Sequence, residues 1–204
     1  MERKFILTDK FVINSFGIKL FQIKCTKSFK YAQKGDFGGY VEKEGNLDQE
    51  NDAWVFGNAR VFGNARVSGN ARVSGDAWVS GDAWVSGDAW VSGDARVFGN
   101  AWVSGNAWVS GDAWVSGNAW VSGNADIEND NEHCGFDGFG SCNRHTHAYM
   151  TKEKKVEIIC GCFRGSIEEF EKKVEETHSG TVYEKQYKSI INVIKIKFGL
   201  TDFT

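Results

Sequence analysis

The sequence predicts a mainly β fold: a parallel β-solenoid with an N-terminal β cap and a small C-terminal α+β domain of ββαα type. Three observations carry this. From Ala53 to Asn124 the chain reads Ala-(Trp/Arg)-Val-(Ser/Phe)-Gly-(Asn/Asp) twelve times without insertion. All eight Trp lie inside that block. The 204 residues include 24 Gly and no Pro, with a net charge of −3. A six-residue period fits neither a long strand nor a helix, and Gly at every sixth place would cost a helix roughly 1 kcal/mol each time. Trp and Val in strict register argue against disorder. The lack of Pro excludes collagen and polyproline structure.

Residues 1–40 read as a β-hairpin cap. Phe5, Leu7, Phe11 and Ile13, then Ile18, Leu20 and the 21–25 run, lie either side of a turn at Asn14–Gly17. Such a cap is needed because the first coil of a solenoid otherwise presents a bare strand edge. Residues 41–130 read as the solenoid. Ala-x-Val is a short extended piece whose two ends point to one face. Gly-Asn and Gly-Asp turn the corners, because both types tolerate positive φ. Leu47 and Val41 continue the six-residue spacing ahead of Ala53, so the same phase is expected to begin near Gly38–Val41. Residues 131–147 are polar and Gly-rich and read as a linker. Residues 148–204 read as a hairpin from Ala148–Thr151 and Val156–Phe163, followed by two helices. Ser166 and Glu169 form a capping box for the first helix, whose apolar stripe is Ile167, Phe170 and Val174. The second runs from about Val182 to Phe198, and its aromatic and aliphatic stripe is read as core.

The unit Val-Ser-Gly-Asn-Ala-Trp resembles the hexapeptide of left-handed parallel β-helices, whose aliphatic and small residues both point inward. That resemblance implies three hexads per coil, and four regular coils about 19 Å tall at about 4.8 Å per rung. The leader Lys34-Gly35-Asp36-Phe37-Gly38-Gly39-Tyr40-Val41, with Asn46-Leu47 and the array, resembles YdcK-like and prophage-encoded hexapeptide proteins. The tail Cys160-Gly161-Cys162-Phe163-Arg164-Gly165, with Phe170, Val174 and His178 after it, resembles a domain ending many such prophage proteins. The resemblance implies an accessory phage product acting in the host cytoplasm. Inhibition of a host defence complex, such as a CRISPR effector, is one concrete role for it.

With 18 residues per coil the outward positions form three columns: Trp54, Arg72, Trp90, Trp108 and Asp126; Arg60, Trp78, Arg96 and Trp114; and Arg66, Trp84, Trp102 and Trp120. Arg between Trp rungs is placed for cation–π stacking. One reading is a self-stabilising ladder that covers a thin core and binds nothing. The other is a contact surface, because seven or eight outward indoles exceed what a soluble monomer normally shows, and Trp and Arg dominate interface energies. Trp78, Trp84, Arg96, Trp102, Trp114 and Trp120 are the candidate partner-binding residues. A protein partner or a second copy of the chain, in a homo-oligomer, is expected. Four Arg against five Asp in the array give no field for phosphates, which argues against direct nucleic-acid binding. One Asn or Asp per corner serves the turn better than a calcium roll.

Hexapeptide β-helices are best known as acyltransferases, which generally need a His base, but no His occurs before residue 133. A non-enzymatic module with no catalytic residue, cofactor or small-molecule substrate is therefore expected, with the acyltransferase as an alternative. Another alternative is a virion or filament component, if uncapped ends stack coaxially. Cys134, Cys142, His145, His147, Cys160 and Cys162 are zinc-ligating types, but Cys160-x-Cys162 on a strand would also suit a core. Structural cysteines are the preferred reading, with no metal site. Five Cys, the absence of a secretory signal and the absence of a long apolar run point to a reducing cytoplasm and no membrane.

Overall fold

The computed structural model describes residues 2–200. The N-terminal strands β1 (Phe5–Ile13), β2 (Lys19–Cys25) and β3 (Phe37–Val41) are followed by thirteen two-residue strands, one every six residues. These run from β4 (Trp54–Val55) to β16 (Asp126–Ile127). Each short strand from β4 to β13 pairs in parallel with the one 18 residues on: Arg72 lies beside Trp90 and Trp90 beside Trp108, with the valines in step. The three resulting columns make a β-solenoid of about five turns. Every Ala and Val of the array is buried. The alternation of a strand puts both on one face, and that face fills the axis.

The corners explain the glycines. Gly75 has φ +69°, and a Cβ there would lie 2.8 Å from the Gly93 carbonyl oxygen one coil away. A side chain would meet backbone strain and a clash together. The ladder is biased along the axis: Trp54 N–H donates to the Ala71 carbonyl at 3.0 Å and Phe56 N–H to Val73 at 2.8 Å, while within the parallel pair the Val73 N–H answers in the opposite sense. The first coil is therefore left mainly with bare carbonyls and the last mainly with bare N–H groups.

At the first coil the cap supplies donors. β1, β2 and β3 form an antiparallel sheet, and β3 then joins Arg60–Val61 in parallel. Tyr40 N–H donates to the Ala59 carbonyl and Asn46 Nδ2 to those of Gly63 and Ala65. The buried Lys4 ammonium donates to the Asn51 and Ala53 carbonyls at 2.5 and 2.9 Å. Burial, opposed by Asp48 and Asp52, pulls Lys4 down to about 8. The register corrects one expectation. Val41 pairs with Val61 and Leu47 with Val67, an offset of 20. Both residues thus stand in the Val place of the repeat rather than in phase with Ala53, because two extra residues lie between Leu47 and the array.

The C-terminal domain is ββββαα, not ββαα. β17 (His133–Phe139), β18 (Arg144–Met150), β19 (Val156–Cys160) and β20 (Phe163–Ser166) form an antiparallel sheet, followed by α1 (Ile167–His178) and α2 (Val182–Lys197). Residues 131–147, expected as a linker, carry β17 and the first half of β18. Gly135, Asp137 and Gly138 hide the alternation of that strand, in which Cys134 and Phe136 point to the helices. The sheet is packed on both faces. Ala148, Ile158 and Cys160 meet the helices, while Tyr149 and Ile159 close the end of the solenoid core. At this end acceptors appear: Trp114 N–H donates to Asp130 Oδ1 at 2.8 Å and Asn118 Nδ2 to Asp137 Oδ1 at 3.2 Å, while Lys152 N–H and Nζ donate to the Asn124 and Asn106 carbonyls. Among the described residues both ends of the solenoid are covered, one by the N-terminal cap and the other by the C-terminal sheet. No helix among the described residues is long and apolar enough to cross a membrane.

Gly75→Ala is expected to cost roughly 1–3 kcal/mol of stability in denaturant unfolding, as strain at a special φ does. Gly45→Ala, where an added Cβ meets nothing within 4 Å, should change stability by less than about 0.5 kcal/mol. Equal effects at the two sites would remove the corner argument.

Candidate binding surface

The three columns are not equally open. In the first, Trp54 is 1 % exposed beneath Phe5 and Phe29, whose rings lie 6.3 and 5.4 Å away. The repeat phase points it outward, but the cap and its 26–34 loop reach over the side of the prism. The expectation of seven or eight outward indoles is corrected accordingly: five are well exposed, and Trp78 and Trp90 are half-buried. Arg72 lies over the Trp90 ring at 4.3 Å, and Lys152 over Trp108 at 4.5 Å.

In the second column Arg96 is held between Trp78 and Trp114, 5.0 and 4.9 Å from their ring centroids. Phe16, at the tip of the β1–β2 hairpin, packs against Phe62 and Trp78. A cavity of about 230 Å³ opens between Phe16, Trp78, Arg96, Phe98 and Trp114.

The third column is the most open. Trp84, Trp102 and Trp120 stack with interplanar angles of 10° and 3° at 5.6 and 5.2 Å. They remain 44, 39 and 37 % exposed. Trp84 Nε1 donates to Ser68 Oγ at 2.9 Å and Trp102 Nε1 to Ser86 Oγ at 3.3 Å. At these two rungs the serines, small residues to a sequence reader, thus take up the one polar group of the indole. The six candidate residues therefore divide between two faces: Trp78, Arg96 and Trp114 on one, Trp84, Trp102 and Trp120 on the other.

The candidate zinc ligands do not meet. Strand alternation puts His145 and His147 on the face of β18 toward the solenoid, whereas Cys134 and Cys160 face the helices. Cys160 ends β19 and Cys162 sits in the two-residue turn before β20 rather than sharing a strand with it, one buried and one exposed. Among the described residues no three His, Cys, Asp or Glu side chains are grouped as metal ligands. The structure instead gathers His133, which the sequence left aside, with His145 and His147. His133 Nδ1 lies 3.2 Å from His147 Nε2, and His145 Nδ1 lies 2.8 Å from Asp137 Oδ1. Burial, then the neighbouring His133 and His145, hold His147 well below the ordinary imidazole range. Burial also lowers His133, against Asp130, while Lys197 adds to the lowering.

This cluster sets a pH dependence. Both histidines are lowered in the fold, so the unfolded chain takes up protons first as pH falls. Their stabilising contribution is complete above about pH 6.5, the unfolded value, and is lost as pH falls toward the folded values. Melting temperature should drop between pH 7 and 5, and His147→Gln should make that slope shallower. An unchanged slope would show that other groups control it.

Compared with known families, the chain matches the YdcK beta solenoid repeat over residues 65–81, 89–105 and 95–111. No curated protein matches it in sequence. The match agrees with the coils seen here and lies wholly within them; the chain is similar to this β-solenoid repeat.

Proposed function

We propose that this chain is a non-enzymatic protein-binding module of the cytoplasm, and that its coils are the left-handed hexapeptide kind its repeat resembles. The observation that carries the reading is the Trp84–Trp102–Trp120 column. Three stacked indoles stay open to solvent, and the N–H groups of Trp84 and Trp102 are already bonded within the chain. Such a column offers apolar area on a rigid frame, so docking orders few side chains, and rigid aromatic anchors make interface hot spots. The Trp78–Arg96–Trp114 face, with its cation between two rings, is the second contact. The partner is a protein groove of the host cell. Resemblance to prophage-encoded proteins makes a host defence nucleoprotein the first partner to test. Self-association through the same column is the competing occupant.

The test compares wild type, Trp84→Ser/Trp102→Ser and Trp78→Ser/Arg96→Ser/Trp114→Ser in light scattering and in capture of purified defence complexes. Loss of a stoichiometric complex in the first variant, by about 30-fold in affinity as for a hot-spot pair, supports the reading. A wild-type dimer that dissociates in that variant assigns the column to self-association. Binding by both variants at wild-type affinity would overturn it, provided their melting temperatures show them folded.

A further inference from the structure

We propose that the cavity between Phe16 and the second column is a binding site for a small aromatic carboxylate, one or two rings carrying a single anionic group. It lies on the face named above as a second protein contact, but it is a small-ligand site of the free chain and does not rest on that reading.

The register makes the gap. Phe62, Ser80 and Phe98 hold the same place in successive coils, their N–H groups donating to the Val79, Val97 and Val115 carbonyls. Serine between two phenylalanines leaves a space where its neighbours carry a ring. Phe16, at the tip of the β1–β2 hairpin, leans on Phe62 and Trp78 with centroids 6.3 and 6.5 Å away and forms one wall. The cavity of about 230 Å³ is lined by Phe16, Trp78, Ser80, Arg96, Phe98 and Trp114. That is below the roughly 300–1,000 Å³ of ordinary ligand pockets, so it suits one or two rings and no more. Most of its walls are aromatic, and a flat ring meets such walls edge to face or offset-stacked.

Arg96 supplies the charge. Its guanidinium lies between the rings of Trp78 and Trp114, 5.0 and 4.9 Å from their centroids. Stacking engages the two faces of this planar group, while its N–H donors lie around the edge. Among the described residues Arg96 takes part in no ion pair. No Asp or Glu lines the cavity either. A cation already held by two rings loses little freedom when it takes up a ligand, and its fork matches a carboxylate with two parallel bonds. An ammonium, the usual guest of an aromatic box, would meet Arg96 as a like charge.

Ser80 supplies a second polar group. Ser68, Ser74 and Ser86 each accept an indole N–H from the Trp sixteen residues on. Sixteen residues on from Ser80 stands Arg96, so this hydroxyl lacks the indole partner and can donate to a ligand oxygen. Neither group is sealed from solvent: Arg96 is exposed, Ser80 is half-buried, and neither holds a buried orphaned atom. The cavity thus joins aromatic walls to two donors, and a carboxylate on a ring answers both.

The test titrates the full chain with benzoate, phenylacetate and indoleacetate, with phenylacetamide as the uncharged comparator and acetate as the carboxylate without a ring, read by calorimetry and ligand-observed NMR. Saturable binding of at least one aromatic carboxylate is expected, about tenfold or more tighter than that of phenylacetamide or acetate, as a charge-assisted bond inside an aromatic wall requires. Ser80→Phe should abolish binding by filling the gap, and the coils on either side already carry Phe at this place. Arg96→Gln should bring phenylacetate down to the level of the amide and leave the amide unchanged. Arg96 is exposed, so this variant keeps the test sharp even if Ser80→Phe melts early. Failure of all three aromatic carboxylates to bind at millimolar concentration would overturn the proposal. So would equal binding by wild type and both variants, or equal binding of phenylacetate and phenylacetamide by wild type.

Discussion

Each coil of this solenoid donates more N–H groups to the carbonyls of the coil after it than it accepts from that coil, and that bias shapes both ends of the molecule. A parallel ladder cannot end the same way twice. Its first coil needs mainly donors and its last mainly acceptors. The chain meets the first need with Lys4, Asn46 and the N–H groups of β3, and the second with Asp130 and Asp137. The two flanking domains are therefore not interchangeable covers. Each has the polarity its end requires, and each extends the core: Phe5 and Ile23 at one end, Tyr149 and Ile159 at the other.

The same register turns single residues into surfaces. One Trp in a hexad becomes a column because position i always lies beside i+18. The columns differ in what covers them and in how the rings meet: indole on indole in the third, guanidinium between indoles in the second. The corners stack as well. Asn64 donates to Asp82 and Asn100 to Asn118, and Asn118 hands the ladder to Asp137 of the terminal sheet. Side chains that a single coil would leave free are tied along the axis.

How much of this was legible depends on where the information sits. Inside the array it is local and repeated, so the inward Ala and Val, the corner glycines and the column membership could all be read from the period. The burial of Trp54 could not, because the residues that cover it, Phe5 and Phe29, belong to a segment with no repeat. β17 was missed because its face toward the solenoid carries His133, Gly135 and Asp137, which look like loop chemistry in one dimension. The same strand completes the histidine cluster. Proximity in the sequence had grouped His145 and His147 with cysteines that the pleat turns to the other side of the sheet. The capping box at Ser166 was visible because both its members lie within four residues, and Ser166 Oγ and Glu169 bond as that motif requires.

Three hexads close one coil, and this bears on how such a chain can change length. A gain or loss of 18 residues would move the C-terminal sheet along the axis by one rung and leave it facing the same side. A gain of six would swing it by a third of a turn. Asp137 would then meet a different corner, and the wall of His145 and His147 would stand over a different column. The near-identical hexads make slippage of the coding repeat easy in steps of six, but only every third step restores the original joint. Length variants that keep the terminal sheet seated should therefore differ by whole coils, and variation in height would be quantised where variation in surface residues is not.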